Sequence, residues 1–324
     1  MITTASLLAL FLLPTLALPA SAQHDIRALG RQRRQEGLPA VEGEMHRRTR
    51  SRTVSRQRKQ KRGVTVSASL GSSSDPHSNM TPNGIKAGIS AGDAYDLVKD
   101  HIGWWYDWSA NPSGHSGSPV AVPMLWGAGI VDSTDAARMA EFKSMNWNPP
   151  YVIAFEEPDC STSGSAGIDV ATAAGIWNSL IAPHGEGGSL LLSPSMCHQA
   201  AETWLTPFSK QISRQWDITN LHINKNSADG IHADLDHYWN TYGKPMWITE
   251  FACVDDSTGF TPCTDQGEID SFIYTAVGIF ENDSRVAGYA YSNGDGLGDV
   301  WPMMKDGQLS ESGKTYLAAI SAHH

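Results

Sequence analysis

Eight short runs of apolar and β-branched residues recur along one stretch of this chain: IKAGIS (85–90), WWYDW (104–108), AVPMLW (121–126), YVIAFEE (151–157), SLLLSPS (189–195), ITNLHI (218–223), MWITEF (246–251) and VAGYAYS (286–292). Most are separated by segments with helical spacing. Ile231, Leu235, Tyr238, Trp239 and Tyr242 form one apolar face, closed by Gly243 as a helix stop. Ile269, Phe272, Ile273, Ala276, Val277 and Phe280 form another. No helix is evident after WWYDW, and Pro207 interrupts the one after SLLLSPS. Strand and helix alternating eight times over this length predict an α/β fold, a single (β/α)8 TIM barrel spanning residues 84–324. An open doubly wound sheet is the rival, but no glycine-rich phosphate fingerprint follows the first run.

The residues before the barrel have a different character. The first 22 combine an apolar core too short to span a membrane with an Ala20-Ser21-Ala22 cleavage signature, and read as a secretory signal peptide. Residues 23–62 are a basic segment with almost no apolar clusters, ending in RQRKQKR, and read as a propeptide cut at Lys61-Arg62. Residues 63–83, rich in Ser and Gly, read as a linker. The basic segment holds 13 Lys and Arg and 4 Asp and Glu, so its removal leaves 11 basic against 30 acidic residues, a net of −19. Such a surface repels phosphate backbones and anionic membranes, which excludes nucleic acid and membrane as partners and favours a neutral substrate. Four cysteines in a secreted chain predict two disulfides, with Cys253–Cys263 and Cys160–Cys197 favoured among three pairings. Asn79-Met80-Thr81 and Asn282-Asp283-Ser284 are glycosylation sequons expected at the surface. The expected protein is an extracellular, cell-wall-associated monomer.

In a barrel, catalytic groups project from the carboxyl ends of the strands. The fourth run ends in Glu156-Glu157 and the seventh in Glu250, which places acidic side chains from distant sequence on one rim. Two carboxylates across a cleft are the minimal machinery for cleaving a glycosidic bond: one protonates the leaving oxygen and the other attacks the anomeric carbon. Aromatic side chains gather at neighbouring strand ends, at Trp104, Trp105, Tyr106, Trp108, Trp126 and Trp301, where their rings can carry the apolar faces of sugars. His232, Asp234, Asp236 and His237 invite a metal reading, but helical spacing spreads them over different faces. The run SNGDGLGD (292–299) lacks calcium-loop spacing. No metal and no cofactor is expected.

From about Lys86 to Ile320 the chain resembles the catalytic core of glycoside hydrolase family 128. The resemblance is carried by WWYDW (104–108), VPMLWG (122–127), FEEPD (155–159), Leu221-His222, GKPMWITEFA (243–252) and YAYSNG (289–294). It implies a retaining endo-β-1,3-glucanase acting on β-1,3-glucan, with Glu157 as acid/base and Glu250 as nucleophile. Glu157 is then expected to carry a raised pKa and Glu250 to stay ionised. Trp105, Trp108 and Trp126 are expected to stack on sugar, and Asp107 and His222 to bond its hydroxyls. Glu156 departs from the family pattern, which places Asn there to contact the sugar 2-hydroxyl. An ionised glutamate cannot donate that bond, so two alternatives stand beside the glucanase: a β-glucan-binding barrel with weak or no turnover, and a glycosidase for another β-linked polysaccharide.

Overall fold

The structure is a computed structural model that describes residues 79–198, 202–294 and 296–324. The signal peptide (1–22), the basic propeptide (23–62) and the linker up to residue 78 lie outside the described residues, as does Asp295. The described residues all fall within one compact unit, residues 70–324.

All eight apolar runs contribute to strands. They are β1 (Ala87–Ser90), β2 (Trp104–Tyr106), β3 (Val120–Ala121), β4 (Tyr151–Val152), β5 (Leu190–Leu191), β6 (Thr219–Lys225), β7 (Met246–Asp255) and, after a short hairpin strand β8 (Thr261–Pro262), β9 (Val286–Tyr291). One sheet runs in the order β3-β2-β1-β9-β7-β6, and β4 pairs with β5. Apart from the antiparallel β7–β8 pair these pairings are parallel, and single parallel bridges, Met124 to Ile153 and Leu192 to Ile218, join the two sheets. The pairings therefore follow one another around a ring of eight, the pattern of a TIM-like barrel.

Helices fill most of the crossovers: α1 (Tyr95–Val98), α2 (Ser133–Ser144), α3 (Val170–Ile176), α4 (Ala182–Glu186), α5 (Leu205–Ser209), α6 (Ala228–Tyr242), α7 (Gln266–Asn282) and α8 (Glu311–Ser321). The loop after β2 has no helix before β3, as its sequence predicts. Pro207 does not break α5, because it sits in the first turn, where a missing N–H costs no hydrogen bond. In α6, Ile231, Leu235 and Tyr238 are buried, and Gly243 ends the helix at φ 61°, a conformation that glycine adopts without a Cβ clash. All six predicted apolar positions of α7 are buried.

The floor of the barrel is aromatic. Trp104 of β2 and Trp247 of β7 have ring centroids 4.3 Å apart, although β1 and β9 lie between their strands, so they meet across the interior. Tyr151 lies 5.0 Å from Trp247. Glycines on the intervening strands make the room: a Cβ on Gly88 would stand 2.6 Å from Trp104, and one on Gly288 would stand 2.9 Å from Trp247. Residues at the end of the Ser/Gly-rich stretch close this floor. Tyr151 donates to the carbonyl of Asn79 at 2.8 Å, and the Trp247 indole donates to that of Met80 at 2.9 Å.

Both favoured disulfides are present, with Cα atoms 6.0 Å apart for Cys160–Cys197 and 5.5 Å for Cys253–Cys263. The first ties the loop after β4 to the loop after β5, and the second clamps the β7–β8 hairpin. Asn79 and Asn282 are exposed, as expected of sequon positions.

Candidate active site

Glu156 and Glu157 follow β4 at its carboxyl end. The chain turns sharply there. Glu157 adopts φ 42°, a left-handed conformation rare outside glycine and one that costs on the order of 1–3 kcal/mol, so the surrounding bonds must hold it. The bonds are visible: Glu156 N donates to Trp126 O at 2.9 Å, Ala166 N donates to Glu156 O at 2.9 Å, and Glu157 N donates to Ser195 Oγ at 3.2 Å. Trp108, past the end of β2, is a second left-handed residue at φ 59°.

Glu250 is aimed by an irregularity in β7. The β6–β7 register runs Leu221 to Ile248 and then His222 to Glu250, skipping Thr249, and the β7–β9 register also shifts between Ile248 and Phe251. Bulges of this kind redirect a side chain at a site. Three donors converge on its carboxylate: Tyr106 OH at 3.1 Å and Trp108 Nε1 at 3.2 Å on Oε1, and Ser292 Oγ at 2.6 Å on Oε2. Ser292 is supported from below by the Trp301 indole, which donates to its carbonyl at 2.9 Å and stacks on Tyr291.

His222 joins the acidic groups. It is 2% exposed, its Nδ1 stands 2.9 Å from Glu157 Oε1, and its Nε2 stands 3.5 Å from Glu156 Oε1. Burial alone would lower the imidazole pKa, but the surrounding carboxyl groups of Glu156, Glu250 and Glu157 push it up to about 10, which favours the imidazolium, with Glu157 and Glu250 as its anionic partners when Glu156 holds a proton. Burial would raise Glu157, yet the hydrogen bond and charge of His222, joined by Ser165 Oγ donating to Oε2 at 2.7 Å, hold its carboxyl below the usual range. This corrects the expectation of a raised Glu157. Sequence places a general acid there, whereas the folded site holds a carboxylate in an ion pair. The group held in its acid form is Glu156: it is 4% exposed, and burial, with Glu250 and Glu157 nearby, pushes it well above the usual range despite the opposing charges of His222 and Arg138.

The other predicted contacts divide. Trp108 faces the site through its bond to Glu250. Trp105 does not, because β2 alternates: Trp104 and Tyr106 point inward, and Trp105 points out to pack edge-on against Tyr95 and His115 at 2% exposure. It has no free face for sugar. Trp126 is 7% exposed, and one face of its ring is covered by Arg138, whose guanidinium carbon lies 5.3 Å from the ring centroid. Asp107 spends Oδ1 on a local turn, accepting from Ser109 N at 3.1 Å and Ser109 Oγ at 2.6 Å.

Arg138, Ser165 and Ser292 were not predicted as site residues, and Tyr106 is expected only as one of the aromatics at the strand ends. Tyr106 could have been found from strand parity, and Ser292 from its position directly after the last strand. Arg138 on α2 and Ser165 in a loop carry no such signal.

The side chains of the run 231–238 go to separate partners, as expected: Asp234 to Lys225 at 3.6 Å, Asp236 to Arg285 at 2.7 Å and His237 to Glu202 at 3.0 Å. Glu156, Glu157 and His222 bring ligand-type atoms within 4.8 Å of one another. The His222 Nδ1 is already engaged with Glu157 at 2.9 Å. An open groove on the outer wall, lined by His232, Tyr274 and Arg285 among others, contains none of these carboxylates. Among the described residues no helix is long and apolar enough to cross a membrane.

Comparison with known proteins agrees with this geometry. Residues 85–316 match the family described as glycosyl hydrolase catalytic core. A glycoside hydrolase family 128 (subgroup VII) oligosaccharide-binding protein from Cryptococcus neoformans is 62% identical, with a TM-score of 0.74 over 75% of this chain and 96% of that one. A variant of a family 128 (subgroup I) endo-β-1,3-glucanase from Amycolatopsis mediterranei, in complex with laminarihexaose, is 25% identical, with a TM-score of 0.57 over 72% of this chain and 99% of that one. Alkali-sensitive linkage protein 1 of Schizosaccharomyces pombe is 30% identical over 244 residues, which are 71% of this chain but only 43% of that protein, so this chain spans less than half the length of that curated relative. A ring of parallel strands with acidic side chains at its carboxyl rim, matched over most of its length, places the chain in the glycosyl hydrolase catalytic core family, to which it belongs, with glycoside hydrolase family 128 proteins as its structural neighbours.

Proposed function

We propose that this protein is an extracellular β-1,3-gluco-oligosaccharide-binding barrel in which hydrolysis is suppressed. The observation that carries the reading is the 2.9 Å contact between His222 and Glu157. A retaining glycosidase needs its acid/base protonated when substrate arrives. Here a buried cation holds that carboxyl in the charged form, and the available proton resides on Glu156 instead. Trp108, Tyr106 and Glu250 still furnish the aromatic and hydrogen-bonding surface that a sugar ring requires.

A polysaccharide or oligosaccharide of β-1,3-linked glucose is the expected partner, bound by a monomer at the cell wall after removal of residues 1–22 and 23–62. The leader-like N-terminus and the two disulfides support secretion. Calorimetric titration of the mature protein with laminari-oligosaccharides, with chromatography of the same mixtures, tests the reading. Binding without shorter products is expected. Rapid appearance of shorter products, abolished by Glu157→Gln and by Glu250→Gln, would overturn it.

One observation favours a second reading, a slow retaining endo-β-1,3-glucanase. Glu250 keeps three donors on its carboxylate, an arrangement suited to a nucleophile. Under that reading Glu156 would pass its proton through the cluster to Glu157 during turnover.

A further inference from the structure

We propose that Arg138 is a sugar-binding residue, whose guanidinium, laid on the Trp126 indole at the β3 side of the cleft, donates to paired hydroxyls of the glucosyl unit next to the one held over Glu157 and Glu250. The inference rests on the oligosaccharide-binding reading above and names a residue that reading does not use.

Arg138 lies on α2, which follows the strand end bearing Trp126 and begins at the Asp132 cap. The residue is partly buried, and its guanidinium carbon sits 5.3 Å from the centre of the Trp126 ring. Burial lowers the Arg138 pKa, and the neighbouring acidic residues Glu156, Asp107, Asp132 and Asp135 oppose that shift. Trp126 is itself tied to the site, since its carbonyl accepts from Glu156 N at 2.9 Å.

A guanidinium carries five N–H donors in a fixed plane, and taking it partly out of water without acceptors is costly. Among the described residues Arg138 makes no hydrogen bond and no ion pair. Other charged groups around the cluster are spoken for: His222 pairs with Glu157 and Lys225 pairs with Asp256. Arg138 is thus a preorganised fork, stacked on an aromatic ring, with its donors unspent. Paired hydroxyls on a neutral glucosyl ring match that fork. An anionic sugar would meet Glu157 and Glu250 as well, and a mature surface of net −19.

The test is titration of the mature wild-type protein, Arg138→Met and Arg138→Lys with laminarihexaose, alongside thermal melts of each. Arg138→Met is expected to weaken binding about 10- to 100-fold, the worth of a charge-assisted hydrogen bond pair, with an almost unchanged Tm. Arg138→Lys is expected to recover only part of the loss, since a point charge cannot form both bonds. Affinity should change little with ionic strength, because the ligand is uncharged. Unchanged affinity in Arg138→Met while the wild type binds would overturn the assignment, as would a fall in Tm with affinity intact, which would mark a structural role. Tighter binding of a carboxylated oligosaccharide, lost at high salt, would overturn the neutral-ligand assignment. A wild type that binds no laminari-oligosaccharide would remove the underlying reading and this proposal together.

Discussion

Replacing His222 with Asn isolates the charge at the centre of the site. Asn can still donate toward Glu157 but cannot become a cation. The folded pKa of His222 is pushed up from an ordinary 6.5 to about 10. A raised pKa means that the folded state binds the proton more tightly than the unfolded state. The stabilisation is therefore complete below about pH 6.5 and drains away as pH rises toward 10. At about 1.36 kcal/mol per pKa unit, the full difference sets a ceiling of about 5 kcal/mol. The actual value lies lower, because Glu156 holds its own proton and then contributes no negative charge, leaving Glu157 and Glu250 as the attracting groups. About 2–4 kcal/mol is expected at pH 6, in line with what removing one partner of a buried pair costs. Urea unfolding of wild type and His222→Asn, followed by tryptophan fluorescence at several values between pH 6 and 9.5, measures the gap directly. It should shrink steadily across that range. A gap of constant size would mean that His222 is neutral in the folded protein, and the account of Glu157 as an ion-paired carboxylate would fall with it.

The double variant His222→Asn/Glu156→Asn removes the largest opposition to burial on Glu157, leaving the Ser165 bond, and restores an amide donor beside it, so shorter products should appear from laminarin at pH 5; a reducing-end assay that stays at the wild-type level would put the block elsewhere. Trp108→Phe removes one of the donors to Glu250 and should weaken laminarihexaose binding by about tenfold, read by calorimetry. Gly88→Ala drives a methyl into the Trp104 indole and should cost about 1–3 kcal/mol in urea unfolding, with ligand affinity unaffected once folded. Cys160→Ser/Cys197→Ser opens a loop of 37 residues and should cost about 4 kcal/mol by the chain-entropy account, visible as a lowered Tm.

Much of the fold is legible in the chain because barrel strands are short apolar runs and their number and order survive in the sequence. The disulfides and the two glutamate-bearing strand ends follow from the same reading. What fails is finer than an element. Trp105 and Tyr106 are neighbours of similar composition, and only strand parity, set by which face of β2 looks inward, decides that the tyrosine reaches Glu250 and the tryptophan does not. The aim of Glu250 depends on the skipped residue in β7, and the pairing of His222 with Glu157 on the turn at Glu157, and neither leaves a local mark. Arg138 arrives from a helix, and its role comes from what it lies beside rather than from its spacing.

The bonds from Tyr151 and Trp247 to the carbonyls of Asn79 and Met80 give the molecule a direction. The polypeptide is moored at the pole where the strands begin, while the acidic cluster opens at the pole where they end. A tether, tag or immobilising surface attached ahead of Asn79 would therefore hold the barrel by its base and leave its mouth facing the surrounding solution.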